Sequence, residues 1–294
     1  RILCAGFAGD EGSPVVLDGA FDQPPAPPKR VLLRLNPGGK LTYDGQSFAS
    51  LDRFCLGMPP EEAHMLARQF RLFGTEEIGL LFQALTNELH PGYAPAVAQL
   101  LFEAVCAFSD ALGFAPDVCC LGDCLAVSDR SGTSGASLSD SCAEIRRLYE
   151  QLLIPKGLGS VRLSTTLGRR QVAPHAVFVS RVRAVRQRQK RLVLLDAACG
   201  QLADAGPVAC RHHIRVLGKP AAGGCSPCDI VGRTSEPFGY LAMGRSLPDV
   251  SAGDILVFQA AGVMPERSLY EPAAQYLLRE DGSVVPLDLP DTAA

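Results

Sequence analysis

The chain has 294 residues, enough for one large domain or two ordinary ones, with 47% hydrophobic and 20% charged residues. A net charge of −3 supplies no global basic field for nucleic acid. No uninterrupted apolar run approaches the roughly 20 residues of a membrane span, so neither nucleic acid nor membrane is expected as a partner.

The eleven cysteines are odd in number and scattered. Several sit inside apolar runs, as Cys106, Cys119 and Cys120 do. Free cysteine behaves as a small buried hydrophobe, which fits a reducing cytoplasm better than a disulfide framework. The opening Arg1-Ile2-Leu3-Cys4-Ala5-Gly6 has no initiator Met and no signal-peptide layout, and reads as the middle of something longer.

Along the chain, Val31-Leu32-Leu33-Arg34-Leu35 reads as a strand closed by the turn Asn36-Pro37-Gly38-Gly39. Pro59-Pro60-Glu61-Glu62 opens a helix, with proline and acids where free amides and the dipole favour them. Its Ala63, Leu66 and Phe70 fall at helical spacing. From Ala94 to Leu112, Val97, Leu100, Leu101, Ala104, Val105, Phe108 and Leu112 line one face of a long helix. A third helix is expected from Ser141, whose spacing to Glu144 suits a capping box, with Ile145, Leu148, Tyr149 and Leu152 inward. Ser128 to Asp140, rich in Ser, Gly and Thr, reads as a surface loop.

Alternation of strand and helix argues for a parallel α/β arrangement up to about residue 165. Beyond it, 176–182, 191–197, 254–260 and 283–287 read as strands between Gly- and Pro-rich turns, with one short helix possible over 270–278. The expected fold class is therefore α/β followed by β, divided into 1–168 and 169–294.

Several short motifs then occur in one order. Leu33-Arg34-Leu35-Asn36-Pro37 comes first, then Arg53-Phe54-Cys55-Leu56-Gly57 with its proline-led helix. Gly79-Leu80-Leu81-Phe82-Gln83, Leu121-Gly122-Asp123-Cys124, Thr166-Leu167-Gly168-Arg169 and Leu195-Asp196-Ala197-Ala198 follow. Cys225-Ser226-Pro227-Cys228-Asp229 precedes Leu247-Pro248, Gly253-Asp254 and Gly262-Val263-Met264. Together they resemble the latter part of the fold-type III, pyridoxal-phosphate-dependent amino-acid decarboxylases, the ornithine and diaminopimelate decarboxylase family.

The resemblance implies a partial (β/α)8 barrel of the alanine-racemase kind, followed by a C-terminal β-barrel or sandwich. It implies catalytic roles for Cys225 and Asp229, a pair that family members give to the partner subunit's site, the cysteine for protonation and the aspartate for the substrate's distal amine. It implies pyridoxal phosphate as cofactor, held in part by the positions of Gly122, Gly168, Arg169 and Gly262.

The departures fall on the same cofactor positions. The family histidine near the ring is Gln83, the glycine loop retains Gly122 beside Asp123, the glutamate at the ring nitrogen is Thr166, and the phosphate tyrosine is Met264. The Schiff-base lysine has no counterpart here and would lie upstream. The expectation is a degenerate or accessory subunit that holds the cofactor weakly or not at all. It would work as a homodimer, or as a heterodimer with a decarboxylase paralogue, by lending Cys225 and Asp229. Two other readings stay open: an active decarboxylase of a basic amino acid whose lysine lies upstream, and a non-catalytic inhibitor of a partner. A zinc site would use Cys225 and Cys228 with His212 and His213, or Cys210 with His212, and the second Cys-x-x-Cys of a ribbon is missing. The basic run Arg181 to Arg191 reads as a solvated face with no aromatic residues between its charges.

Overall fold

A computed structural model of the chain describes residues 14–20, 26–53, 56–83, 88–122, 124–127, 137–166, 168–202, 212–220, 225–233, 239–263 and 273–287. The chain divides into two compact units, Arg1–Gln171 and Val172–Ala294.

In the first unit the strands β1 (Val15–Leu17) and β2 (Arg30–Arg34) are followed by a hairpin, β3 (Lys40–Tyr43) and β4 (Gln46–Ser50). Helix α1 (Pro60–Leu72), β5 (Glu77–Gln83), α2 (Tyr93–Leu112), β6 (Val118–Gly122), α3 (Leu138–Leu152), β7 (Arg162–Thr165) and the short α4 (Gly168–Val172) complete it. Five strands form a wholly parallel sheet in the order β1-β2-β5-β6-β7. Helices α1, α2 and α3 supply the crossovers from β2 to β5, β5 to β6 and β6 to β7 that parallel pairing requires.

Strand alternation sorts the sheet's side chains into two faces. Val31, Leu33, Ile78, Leu80, Phe82, Cys119 and Leu121 join one core with the buried stripes of the helices, among them Leu66 of α1, Phe102 of α2 and Ile145 of α3. The opposite face carries Leu32 and Arg34 in register with Gly79 and Leu81, and these in register with Val118 and Cys120. Gly79 allows that close approach. A Cβ there would lie 2.4 Å from Val118 Cγ1 and 2.5 Å from Leu32 Cδ2.

Helix α2 has 20 residues and is, by length and composition alone, apolar enough to cross a membrane, although half of its most apolar window is buried inside this unit. Counting uninterrupted apolar runs overlooks it, because Gln99, Glu103, Ser109 and Asp110 punctuate the helix. Helix α3 starts earlier than its Ser141–Glu144 spacing predicts. Ser137 is the N-cap, its side chain accepting from the Asp140 amide, while Ser141 is buried in the helix. Residues 128–136 of the expected loop lie outside the described residues, and 138–140 are helical. Glu144 is drawn instead to Tyr43, whose hydroxyl donates to it, and to Arg147, whose Nε donates at 2.8 Å. This ties the β3–β4 hairpin to α3.

The second unit is built from β8 (Phe178–Gln187), β9 (Arg191–Leu195), β10 (Ile214–Val216), β11 (Ser226–Val231), β12 (Tyr240–Leu247), β13 (Ile255–Phe258), β14 (Tyr276–Leu278) and β15 (Val284–Pro286). Six of them form one sheet, β10-β13-β8-β9-β11-β12, antiparallel except where β9 and β11 run together. Val182, Val193, Ile230, Leu241, Leu256 and Phe258 form its core. The helix expected over 270–278 is not there. Residues 276–278 are a strand paired with β15, because Tyr276, Leu277 and Leu278 meet Pro286, Val285 and Val284 across a hairpin. Residues 270–272 lie outside the described residues.

Phe102 is fully buried and meets Tyr149 edge-on at 5.7 Å. Phe102→Ala is expected to cost about 3–5 kcal/mol, read as a lower urea midpoint of the full chain. Hydrogen bonds from Arg147 and Tyr43 hold the Glu144 carboxyl down at about 2. A lowered folded-state pKa means stability that is present above the ordinary carboxylate range of about 4.3 and is lost as pH falls toward about 2. Glu144→Gln should flatten that acid limb of the stability curve, and an unchanged limb would remove Glu144 from this role.

Candidate functional site

In the first unit the expected cofactor positions gather at the C-terminal ends of the parallel strands, where open and closed α/β sheets place their ligands. Gln83, the last residue of β5, is in register with Gly122, the last of β6. Thr166 follows β7 directly and donates its amide to the Leu121 carbonyl at 3.1 Å, while the Thr165 hydroxyl donates to the same oxygen at 2.8 Å. The three positions are thus brought together by register alone.

Their chemistry differs from a phosphate cradle. A Cβ at Gly122 would lie 2.8 Å from Gln83 Cγ and 2.9 Å from Gln83 Cβ. The room left by the missing side chain is therefore filled by the glutamine. Thr166 offers a hydroxyl and no charge. Gly168 opens α4 with nothing within 4 Å of its would-be Cβ, and Arg169 lies in the same helix. Asp123 and Met264 fall outside the described residues. Gly262 has a packing role in the second unit. Its amide donates to Ala173 at 3.2 Å, and a Cβ would come within 1.9 Å of the Val172 carbonyl oxygen.

One charged pair at these strand ends was not singled out as such from the sequence. Arg34, at the end of β2, is 4% exposed, and its Nη1 lies 3.1 Å from Oδ1 of the buried Asp18, just past β1. The Arg34 Nε has no hydrogen-bond partner among the described residues. A charge inside a leucine run is the signal that could have found it, because burying an arginine without a carboxylate costs several kcal/mol.

In the second unit, β11 carries the Cys225–Asp229 segment. Residues alternate on a strand, so Cys225, Pro227 and Asp229 share one side while Cys228 and Ile230 share the other. Burial changes along the segment rather than between the sides: Cys225, Ser226 and Pro227 are exposed, whereas Cys228, Asp229 and Ile230 are buried, Cys228 and Ile230 in the core. The Cys228 thiol donates to the Arg245 carbonyl at 3.2 Å, and burial pushes its pKa up. Asp229 is only 3% exposed. Its Oδ1 accepts the Gly244 amide at 2.7 Å, and its Oδ2 stands 3.9 Å from the Lys190 ammonium.

An open cavity of about 680 Å³ adjoins the segment, lined among others by Gln187, Lys190, Arg191, Ser226, Asp229 and Asp249. Arg191 holds its place there by donating to Asp249 Oδ1 at 2.7 Å and to the Val250 carbonyl at 2.8 Å. Cys225 and Asp229 are four residues apart on an extended strand, a span of roughly 13 Å. They can address two ends of one ligand and not a single atom. Among the described residues no group of three or more His, Cys, Asp or Glu could hold a metal ion; Cys210 lies outside them.

Thiol reactivity should follow this geometry. Brief alkylation of the folded chain is expected to label the exposed Cys225 and Cys142, and to spare Cys228 and Cys119, whose thiol burial raises to about 12. Peptide mass spectrometry reads the order. Cys228 reacting alongside Cys225 would contradict the strand's facing.

Comparison with known proteins places these features in one family. The family described as pyridoxal-dependent decarboxylase, C-terminal sheet domain, matches residues 42–262. A diaminopimelate decarboxylase of Methanothermobacter thermautotrophicus is 21% identical over 233 residues, covering 79% of this chain and 54% of the relative. Protein TabA of Pseudomonas amygdali pv. tabaci is 24% identical over 278 residues, covering 92% of this chain and 65% of TabA. The chain thus spans between about half and two thirds of the length of these relatives. Among solved structures, a diaminopimelate decarboxylase superposes with a TM-score of 0.64 at 21% identity, over 87% of this chain and 63% of the other. The Helicobacter pylori diaminopimelate decarboxylase complexed with L-lysine gives 0.61 at 19% identity, with the same coverage. At these identities the structural likeness speaks for the fold.

Proposed function

This chain belongs to the pyridoxal-dependent decarboxylase family, and on that premise we propose that it serves as an accessory subunit, lending the Cys225–Asp229 segment to a homologous partner. Its five parallel strands are read as the later part of a barrel, and 169–294 as the family's β domain. The observation that carries the reading is the contrast between the two sets of positions. Cys225 stands exposed at the head of β11, one residue before the Ser226–Asp229 stretch that lines an open cavity, while Gln83 fills the space beside Gly122 and Thr166 brings no charge to the strand ends.

The residues described at those strand ends do not fit pyridoxal phosphate. A phosphate dianion asks for open backbone amides and a complementary charge. Here the glycine's space is occupied by a side chain, and the buried cation Arg34 is already committed to Asp18. No step of chemistry is therefore assigned to a cofactor in this chain. In a partner's site, Cys225 would hold or deliver a proton at Sγ, and Asp229 would face the ammonium end of an amine-bearing amino acid.

Co-expression with an intact diaminopimelate decarboxylase tests the assignment. In a complex of the two, Cys225→Ala is expected to lower kcat by about 100-fold, the usual scale for a positioned proton donor. Unchanged activity would show that Cys225 is not lent. Added pyridoxal phosphate should leave the purified chain without the visible band of a lysine-bound cofactor, and a band removable by borohydride would overturn the accessory reading.

A further inference from the structure

The Asp229 carboxylate is a buried anion with one of its oxygens already taken. The residue is 3% exposed, and Oδ1 accepts the Gly244 amide at 2.7 Å. Oδ2 accepts no hydrogen bond among the described residues, although Asp229 forms part of the wall of the open cavity. A carboxylate so placed calls for a cation, since a buried charge without a counter-charge is costly. Among the described residues one cation stands within 4 Å of it, the Lys190 ammonium, 3.9 Å from Oδ2. Arg191, the next cation along the cavity wall, is committed to Asp249 and to the Val250 carbonyl.

Strand register puts Lys190 there. Asp229 pairs with Leu192 across β11 and β9, and residues two apart on an extended chain face the same way. Lys190 is two residues before Leu192, so it is set on the side of Asp229. The turn that carries it is closed by the Arg188 amide, which donates to the Lys190 carbonyl at 3.1 Å. Its backbone is therefore held, while its side chain is 69% exposed.

At 3.9 Å the ammonium is near enough to offset the carboxylate's charge and too far to hydrogen-bond it. That is the contact of a movable counter-ion. A compact charge on a flexible four-carbon stem suits the part, whereas a guanidinium would lock onto a carboxylate through two parallel bonds.

We propose that Lys190 is a built-in competitor for the Asp229 oxygen that would meet a ligand's ammonium, so that this subsite opens only when an incoming amine displaces it. This role rests on reading Asp229 as the amine-facing group of the lent segment, and it adds the residue that sets how tightly an amine is held. A lysine ends in the same primary ammonium as an amine-bearing ligand, so the two exclude each other at one oxygen without any change of fold. Once displaced, Lys190 swings into the open cavity and gives up only a largely solvated pair, which is worth little.

Calorimetric titration of the purified full chain with 1,5-diaminopentane tests this without recourse to activity. Lys190→Met keeps the stem and removes the charge, and it is expected to tighten binding by about threefold, the scale of a partly exposed ion pair. Lys190→Arg should bring no gain. Asp229→Asn should abolish binding in both the wild-type and the Lys190→Met backgrounds, with circular dichroism melts to confirm that the buried amide is tolerated. Binding that Lys190→Met leaves unchanged or weakens would overturn the competitor role, and Lys190 is exposed enough to carry that arm by itself. Binding that survives Asp229→Asn in a folded chain, or no binding by any variant, would overturn it too. The lending of Cys225 fails separately. If Cys225→Ala leaves the activity of the complex unchanged while Lys190→Met still tightens the diamine, the competitor stands and the lending falls.

Discussion

Gly79 sits in the middle of the central strand of the parallel sheet, between Leu32 and Val118, where no larger residue fits. Its neighbours' side chains cross the space a Cβ would take, and this contact lets the non-helical face pack from strand to strand. The register that follows from it carries the rest of the unit. Four residues on, Gln83 meets Gly122, and in the row between, Arg34 stands beside Leu81 and Cys120. On the other face the same register lines up Leu33, Leu80 and Cys119 under the helices.

Much of this was legible in the sequence where a periodicity had no competitor. The stripe of α2 and the proline-led start of α1 came through because burial of one face decides both. The start of α3 did not, since Ser137–Asp140 and Ser141–Glu144 offer the same local spacing and only the tertiary pull of Tyr43 on Glu144 separates them. Residues 276–278 failed for a related reason: a short apolar run has no period of its own, and its partner strand decides. The Arg34–Asp18 pair was hidden because its halves lie at the ends of two strands whose adjacency is a fact of topology.

Along the Cys225–Asp229 segment the strand passes from solvent into the unit, which a motif alone cannot disclose. Cys228 is buried as a hydrophobe with a raised thiol pKa, and Cys225, at the outer end, stays in solvent. Asp229 lies on the same side as Cys225 but is covered, held by the Gly244 amide and faced by Lys190. The carboxylate is held and covered, while the cysteine is accessible. The two groups thus differ in exposure as well as in chemistry, which the spacing Cys-x-x-x-Asp does not disclose.

The strand order of the second unit has a kinetic side. Phe178 on β8 pairs with Phe258 on β13, and β9 runs parallel to β11 with β10 made in between, so most of the sheet must wait for chain that is far away in sequence. Only the β8–β9 and β11–β12 pairs can zip early. Such non-local pairing slows folding by orders of magnitude relative to helical neighbours. During synthesis the apolar, arginine-studded strand β8 would emerge well before β13 exists to cover its edge, and that interval is when this unit is most open to mispairing with another nascent chain.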